Sequence, residues 1–152
     1  MPRHFDTTFD VVRELKPSYP VYCLRPDILR ESAKRFVDMF PGNVLYAVKC
    51  NPHPFVLKAL SEGGITSYDT ASLPEIAAVR ELLPDADCYF NHPVKGRGAI
   101  DSAADVYGIT DFVVDHEVEI DKIEEIANKA GAVTVVKGWL AGGFASKKTC
   151  IL

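Results

Sequence analysis

Short apolar runs rich in β-branched and aromatic residues recur along this chain at intervals of roughly 21 to 24 residues. They occupy positions 20–24, 44–49, 65–69, 86–91, 111–115 and 132–136 and read as strands. Between them lie stretches with helical patterning, at 26–40, 54–60, 73–83, 95–107 and 116–129. The first opens with Pro26-Asp27 and sets Ile28, Leu29, Ala33, Phe36, Val37 and Phe40 on one face. The second places Phe55, Val56, Ala59 and Leu60 together, and the last places Val118, Ile120, Ile123 and Ile126. Ser72 is a suitable N-cap with Glu75 in the first turn behind it, and Gly63-Gly64 and Gly131 stand where helices should stop. Strands alternating with helices at this spacing imply βα units and a parallel sheet.

Two architectures satisfy that pattern: an open doubly wound sheet, or part of a (β/α)8 barrel. No Gly-x-Gly-x-x-Gly follows a strand, which argues against a dinucleotide fold. In both architectures chemistry gathers at the carboxyl ends of the strands. The chain has 152 residues, 47% of them hydrophobic and 25% charged, enough to bury one domain's core. Its formal net charge is -4 with basic residues scattered, so a nucleic-acid partner is not expected. No apolar run approaches the roughly 18 residues that a membrane span needs. The start, Met1-Pro2-Arg3-His4-Phe5-Asp6, has no apolar signal region, and cytoplasmic location is expected. Cys23, Cys50, Cys88 and Cys150 lack zinc-ligand or redox spacing and read as reduced thiols, with no metal site.

Applied strand by strand, the carboxyl-end rule singles out Lys49, where an apolar strand ends in an amine. Tyr46-Ala47-Val48-Lys49-Cys50-Asn51-Pro52 closely resembles the pyridoxal-phosphate lysine motif of the fold type III amino-acid decarboxylases, which share the alanine racemase barrel. Further resemblances follow in that family's order. Residues 66–76, from Thr66 through Asp69 and Glu75 to Ile76, resemble its second barrel strand and following helix. Phe90-Asn91-His92-Pro93-Val94-Lys95 is similar to its third turn, where many members have Asn in place of His92. Residues 111–120 resemble the fourth strand, and residues 20–24 the strand preceding the barrel. The third turn most resembles the ornithine decarboxylase branch.

The resemblance implies the fold: the amino-terminal portion of an alanine-racemase-type (β/α)8 barrel, with about five of eight barrel strands. It also implies that Lys49 is the catalytic lysine, binding the aldehyde of pyridoxal 5'-phosphate. Asp69 and Glu75 are then cofactor-binding candidates. A lysine attacks an aldehyde only when deprotonated, so partial desolvation at a barrel mouth is expected around it. The pyridinium ring would serve as electron sink for decarboxylation of a basic amino acid, ornithine to putrescine in the branch it most resembles. His92 is expected to be structural, Lys95 a solvated residue at a helix start, and Asp115 and Glu117 helix-start carboxylates without catalytic role.

Residues 1–136 are expected to form the barrel portion and 137–152 a divergent tail outside the family fold. Lys137 stands where the family continues with arginine, and a complete barrel takes roughly 250 residues. The reading is therefore a truncated, inactive decarboxylase whose full-length relatives are homodimers with a small amino-acid substrate. A second reading is a non-catalytic regulatory protein that pairs with a full-length homologue. A third is a small complete carrier or racemase-like barrel, against which the missing strands count.

Overall fold

The structure is a computed structural model and describes residues 3–127, 135–138 and 149–151. In chain order the elements are α1 (Thr8–Leu15), α2 (Pro26–Met39), β1 (Asn43–Ala47), a 3-10 turn (Val48–Cys50) and α3 (Pro54–Glu62). There follow β2 (Ser67–Thr70), α4 (Leu73–Leu82), β3 (Asp87–Phe90), α5 (Arg97–Asp105), β4 (Asp111–Val114), α6 (Glu117–Ala127), β5 (Val135–Gly138) and β6 (Thr149–Ile151). The sheet order is β5-β4-β3-β2-β1-β6, and every pairing is parallel.

Alternation along the strands decides between the two architectures. Val44, Tyr46, Tyr68, Cys88, Phe90, Phe112 and Val114 share one sheet face and one core with helix residues. Those helix residues come from α2 to α6 and include Ala33, Leu57, Ile76, Ile100 and Ile123. A doubly wound sheet divides its helices between two faces; here they gather on one, as around a barrel wall. The other face carries Leu45, Ala47, Ser67, Asp69 and Tyr89.

Local chemistry explains where the elements begin and end. Gly63 closes α3, its N–H reaching the carbonyls of Ala59 and Leu60, and Ile65 bonds back to Leu60, so β2 starts only at Ser67. A Cβ on Gly63 would stand 2.6 Å from the Arg30 carbonyl oxygen, so α2 and α3 approach as closely as a bare Cα allows. Gly64 follows with φ +100°, a conformation other residues rarely adopt. At α4 the Ser72 side chain makes no capping bond; the Glu75 carboxylate instead accepts from the Ala71 N–H at 2.8 Å.

Several sequence expectations are corrected. Residues 20–24 form no strand, and Tyr22 is 99% exposed. The free edge of β1 that this segment would join is taken by β6, through Asn43–Thr149, Val44–Cys150 and Leu45–Ile151. Helix α1 was not expected, although Thr7 and Asp10 form a reciprocal capping box. On α2, Ile28, Phe36 and Val37 remain exposed and Ala33 alone is fully buried; on α6, Val118 is exposed. The expected strand at 132–136 begins outside the described residues, which include only its end in β5. Gly131 and Lys129 also lie outside them.

The largest correction is Lys95, expected in solvent but buried completely at its side chain. Its Nζ donates to the carbonyls of His92 at 2.8 Å and Val113 at 2.6 Å, and stands 3.5 Å from the Glu119 carboxylate. Lys122 closes the cluster, pairing with Glu119 and donating to the Lys95 carbonyl at 2.6 Å. Because the Lys95 side chain turns inward to join the two βα turns, α5 starts at Arg97 instead of 95. Burial lowers the Lys95 pKa, opposed chiefly by the Glu119 charge. Lys95→Met should destabilise the chain by about 2–4 kcal/mol in urea unfolding, since it strips two buried carbonyls of their donor and Glu119 of one counter-charge. A midpoint indistinguishable from the unmodified chain would show that the cluster contributes nothing net.

Candidate functional site at the carboxyl rim

The strands all run parallel, so their carboxyl ends share one rim. Register places Ala47 beside Asp69 and Asp69 beside Tyr89 on the face away from the helices. Lys49 lies two residues beyond Ala47 and Asn91 two beyond Tyr89, each following a strand that flanks β2. The ladder continues into Asn91, whose N–H donates to the Thr70 carbonyl at 2.8 Å.

Lys49 sits in the 3-10 turn after β1 instead of closing the strand itself, and it is exposed. The partial desolvation expected around it is therefore not supplied by the described residues. Its neighbours are well held: the Tyr46 hydroxyl donates to the Asn51 carbonyl at 3.3 Å, and the Asn51 side chain accepts from the His53 N–H at 3.1 Å. Cys50, also exposed, is a free thiol, as are Cys23 and Cys88. The side chain of Cys150 lies outside the description.

Asp69 is 8% exposed. Burial raises its carboxyl pKa above the ordinary aspartate value, while a hydrogen bond from the Asn91 side chain and the Lys49 charge pull it back. The Glu75 charge pushes it up further, so Asp69 answers to both charged neighbours. The Glu75 carboxylate is also bound to its own turn through Ala71. Asn91 is the residue that sequence reading left out; its place directly after the third strand, two positions beyond Tyr89, was the available signal.

His92 is exposed, and its Nδ1 accepts the Val94 N–H at 3.2 Å, the structural role expected of it. His53 and His116 do the same for Phe55 and Val118. Asp115 and Glu117 are exposed. Among the described residues no His, Cys, Asp and Glu group could hold a metal, and no helix is long and apolar enough to cross a membrane. A shallow recess of about 290 Å³ lies beside the rim, between the starts of α4 and α5.

An exposed amine and a buried carboxylate at one carboxyl rim of a barrel wall make a site suited to carbonyl chemistry. Residues 27–138 match the family model of the pyridoxal-dependent decarboxylase, pyridoxal binding domain. Ornithine decarboxylase of Leishmania donovani is 38% identical over 127 residues, 80% of this chain and 18% of that protein. The lysine/ornithine decarboxylase of Vibrio vulnificus, solved with putrescine, superposes with a TM-score of 0.74 at 27% identity, over 94% of this chain and 37% of that one. Ornithine decarboxylase from Entamoeba histolytica gives 0.65 at 28% identity, over 74% and 34%. The chain belongs to the pyridoxal-dependent decarboxylase family, whose cofactor is pyridoxal phosphate, and spans less than two-fifths of the length of these relatives.

The donor set fits the aldehyde end of that cofactor: an accessible primary amine at Lys49 with the Asp69 carboxyl within range of its charge. Asp69 has a consequence for stability as well. A carboxyl whose folded pKa is raised favours the fold while protonated and costs it stability as pH rises through the folded pKa. Asp69→Asn should therefore raise the urea midpoint at pH 7, and this gain should shrink as pH falls through the raised folded pKa and be gone below the ordinary aspartate value. A gain that persists unchanged at low pH would contradict the burial argument.

Proposed function

We propose that this chain bears the cofactor lysine of a pyridoxal-phosphate-dependent decarboxylase acting on a basic amino acid, with Lys49 as that lysine and ornithine as the amino acid. The observation that carries the reading is that Lys49 and buried Asp69 both stand at the carboxyl rim, with Asp69 within range of the Lys49 charge. Ornithine is favoured by the 38% identity with the Leishmania enzyme and by the resemblance of the turn at Asn91–Lys95.

Pyridoxal phosphate, when bound, supplies a ring that accepts the electron pair left by loss of CO2. Lys49, exposed on a turn that Tyr46 and Asn51 brace, presents its amine where an aldehyde from solvent can reach it. Asp69 lies within range of the Lys49 charge, which favours the aspartate anion. Glu75 holds the entrance of α4 through Ala71 and adds negative charge beside Asp69. Holding a substrate's carboxylate and distal amine takes further contacts, and orientation alone accounts for about 7–11 kcal/mol of many barriers. The 152-residue chain by itself is accordingly expected to capture cofactor without turnover.

Borohydride reduction with pyridoxal phosphate, followed by peptide mapping, tests the assignment. The label should concentrate on Lys49 and disappear in Lys49→Ala, with no release of CO2 from carboxyl-labelled ornithine. Labelling spread evenly over the lysines would remove the site, and CO2 release abolished by Lys49→Ala would show that the chain needs nothing further.

A further inference from the structure

Asp69 presents a physical problem. A carboxylate this deeply buried is costly to keep ionised, and the nearest fixed charge from α4, that of Glu75, makes matters worse. Lys49 offsets this, but its side chain is exposed and free to move. The group that meets Asp69 from a rigid element is Asn91.

Three observations fix Asn91 in place. Its N–H donates to the Thr70 carbonyl at 2.8 Å, so its backbone continues the β2–β3 ladder. Alternation puts its side chain on the face of Tyr89 and Asp69, opposite the core. The turn that follows is held from below, where buried Lys95 donates to the His92 carbonyl, and from within, where His92 Nδ1 accepts from Val94.

We propose that Asn91 is a positioning residue for the lysine site: its side-chain amide donates to the Asp69 carboxylate and holds it as an anion facing Lys49. An amide is suited to this task because it donates without adding charge. A lysine in its place would compete with Lys49 for the same carboxylate. The groups facing Asp69 are then Lys49 from the 3-10 turn, Asn91 from beyond β3 and Glu75 from α4. Two of these favour the anion and one opposes it. The inference rests on the reading of Lys49 and Asp69 as the site, but its physical content concerns Asp69 alone and is testable without cofactor.

The test is a carboxyl-detected NMR titration of Asp69 in the 152-residue chain and in two variants, Asn91→Ala and Asn91→Asp. The midpoint should be lowest in the unmodified chain, higher in Asn91→Ala and highest in Asn91→Asp, which loses the donor and adds a like charge. A role in packing alone gives another order, with Asn91→Ala at the unmodified midpoint and only Asn91→Asp raised, by its added charge. That order, or three equal midpoints, overturns the proposal. Should a variant fail to fold, the unmodified chain still decides: the Asn91 side-chain amide protons should move with the Asp69 midpoint, and amide signals indifferent to it overturn the proposal. Borohydride labelling of the same samples separates the two readings. If Lys49 takes no selective label while the midpoint order holds, the cofactor assignment fails and the role of Asn91 in holding Asp69 stands.

Discussion

Everything at the rim depends on the register of the parallel ladder. Tyr68 and Phe112 are buried to 1% or less on the helix side, and Asp69 is their immediate alternate on the other. Sliding β2 by one residue would exchange the two faces, pressing a carboxylate into an apolar core and a tyrosine ring out of it. The apolar residues that never approach the site therefore hold it in place. Interlocking of Ile76, Val79, Ile100 and Ile123 with Tyr68, Phe90 and Phe112 fixes the register, and register sets Lys49, Asp69 and Asn91 in a row.

The two buried charge groups of the rim are built on opposite principles. On the helix side, Lys95, Glu119 and Lys122 bond to one another and to the carbonyls of His92, Lys95 and Val113. Such a network stiffens two neighbouring turns and leaves little to titrate. On the open side, Asp69 is only partly compensated and its protonation is set by a balance of neighbours. A carboxyl poised in that way is the kind of group active sites retain at a cost in stability. The stiff cluster lies beneath the turn that carries Asn91, so rigidity on one face supports adjustability on the other.

Much of this was legible in the sequence because its signals are local. Spacing of apolar runs gives the five barrel strands to within a few residues, and the end of a strand in Lys49 marks the rim. What escaped depends on contacts between distant segments. Residues 20–24 have strand composition, but β6 occupies the edge they would need. Lys95 looks solvated in one dimension, since nothing near it in sequence announces Glu119 or the Val113 carbonyl. The apolar positions of α2 were overcounted because close approach at Gly63 centres the contact on Ala33, leaving Phe36 and Val37 partly in water. Asn91 passed as one residue of a turn, because its bond to Asp69 joins two segments distant in sequence.

The pairing of β6 with β1 has a kinetic meaning. The strands from β1 to β5 each join their sequence neighbour, as Leu45 joins Ser67, whereas Leu45 joins Ile151 across more than half the chain. Closing the longer loop costs about 1.4 kcal/mol more entropy than closing the shorter one. Three residue pairs repay it. Contact order therefore favours growth outward from the β1–β2 crossover unit, with β6 joining β1 after the neighbouring strands have paired. An opening of that edge would leave undisturbed the neighbour-by-neighbour ladder that carries Asp69.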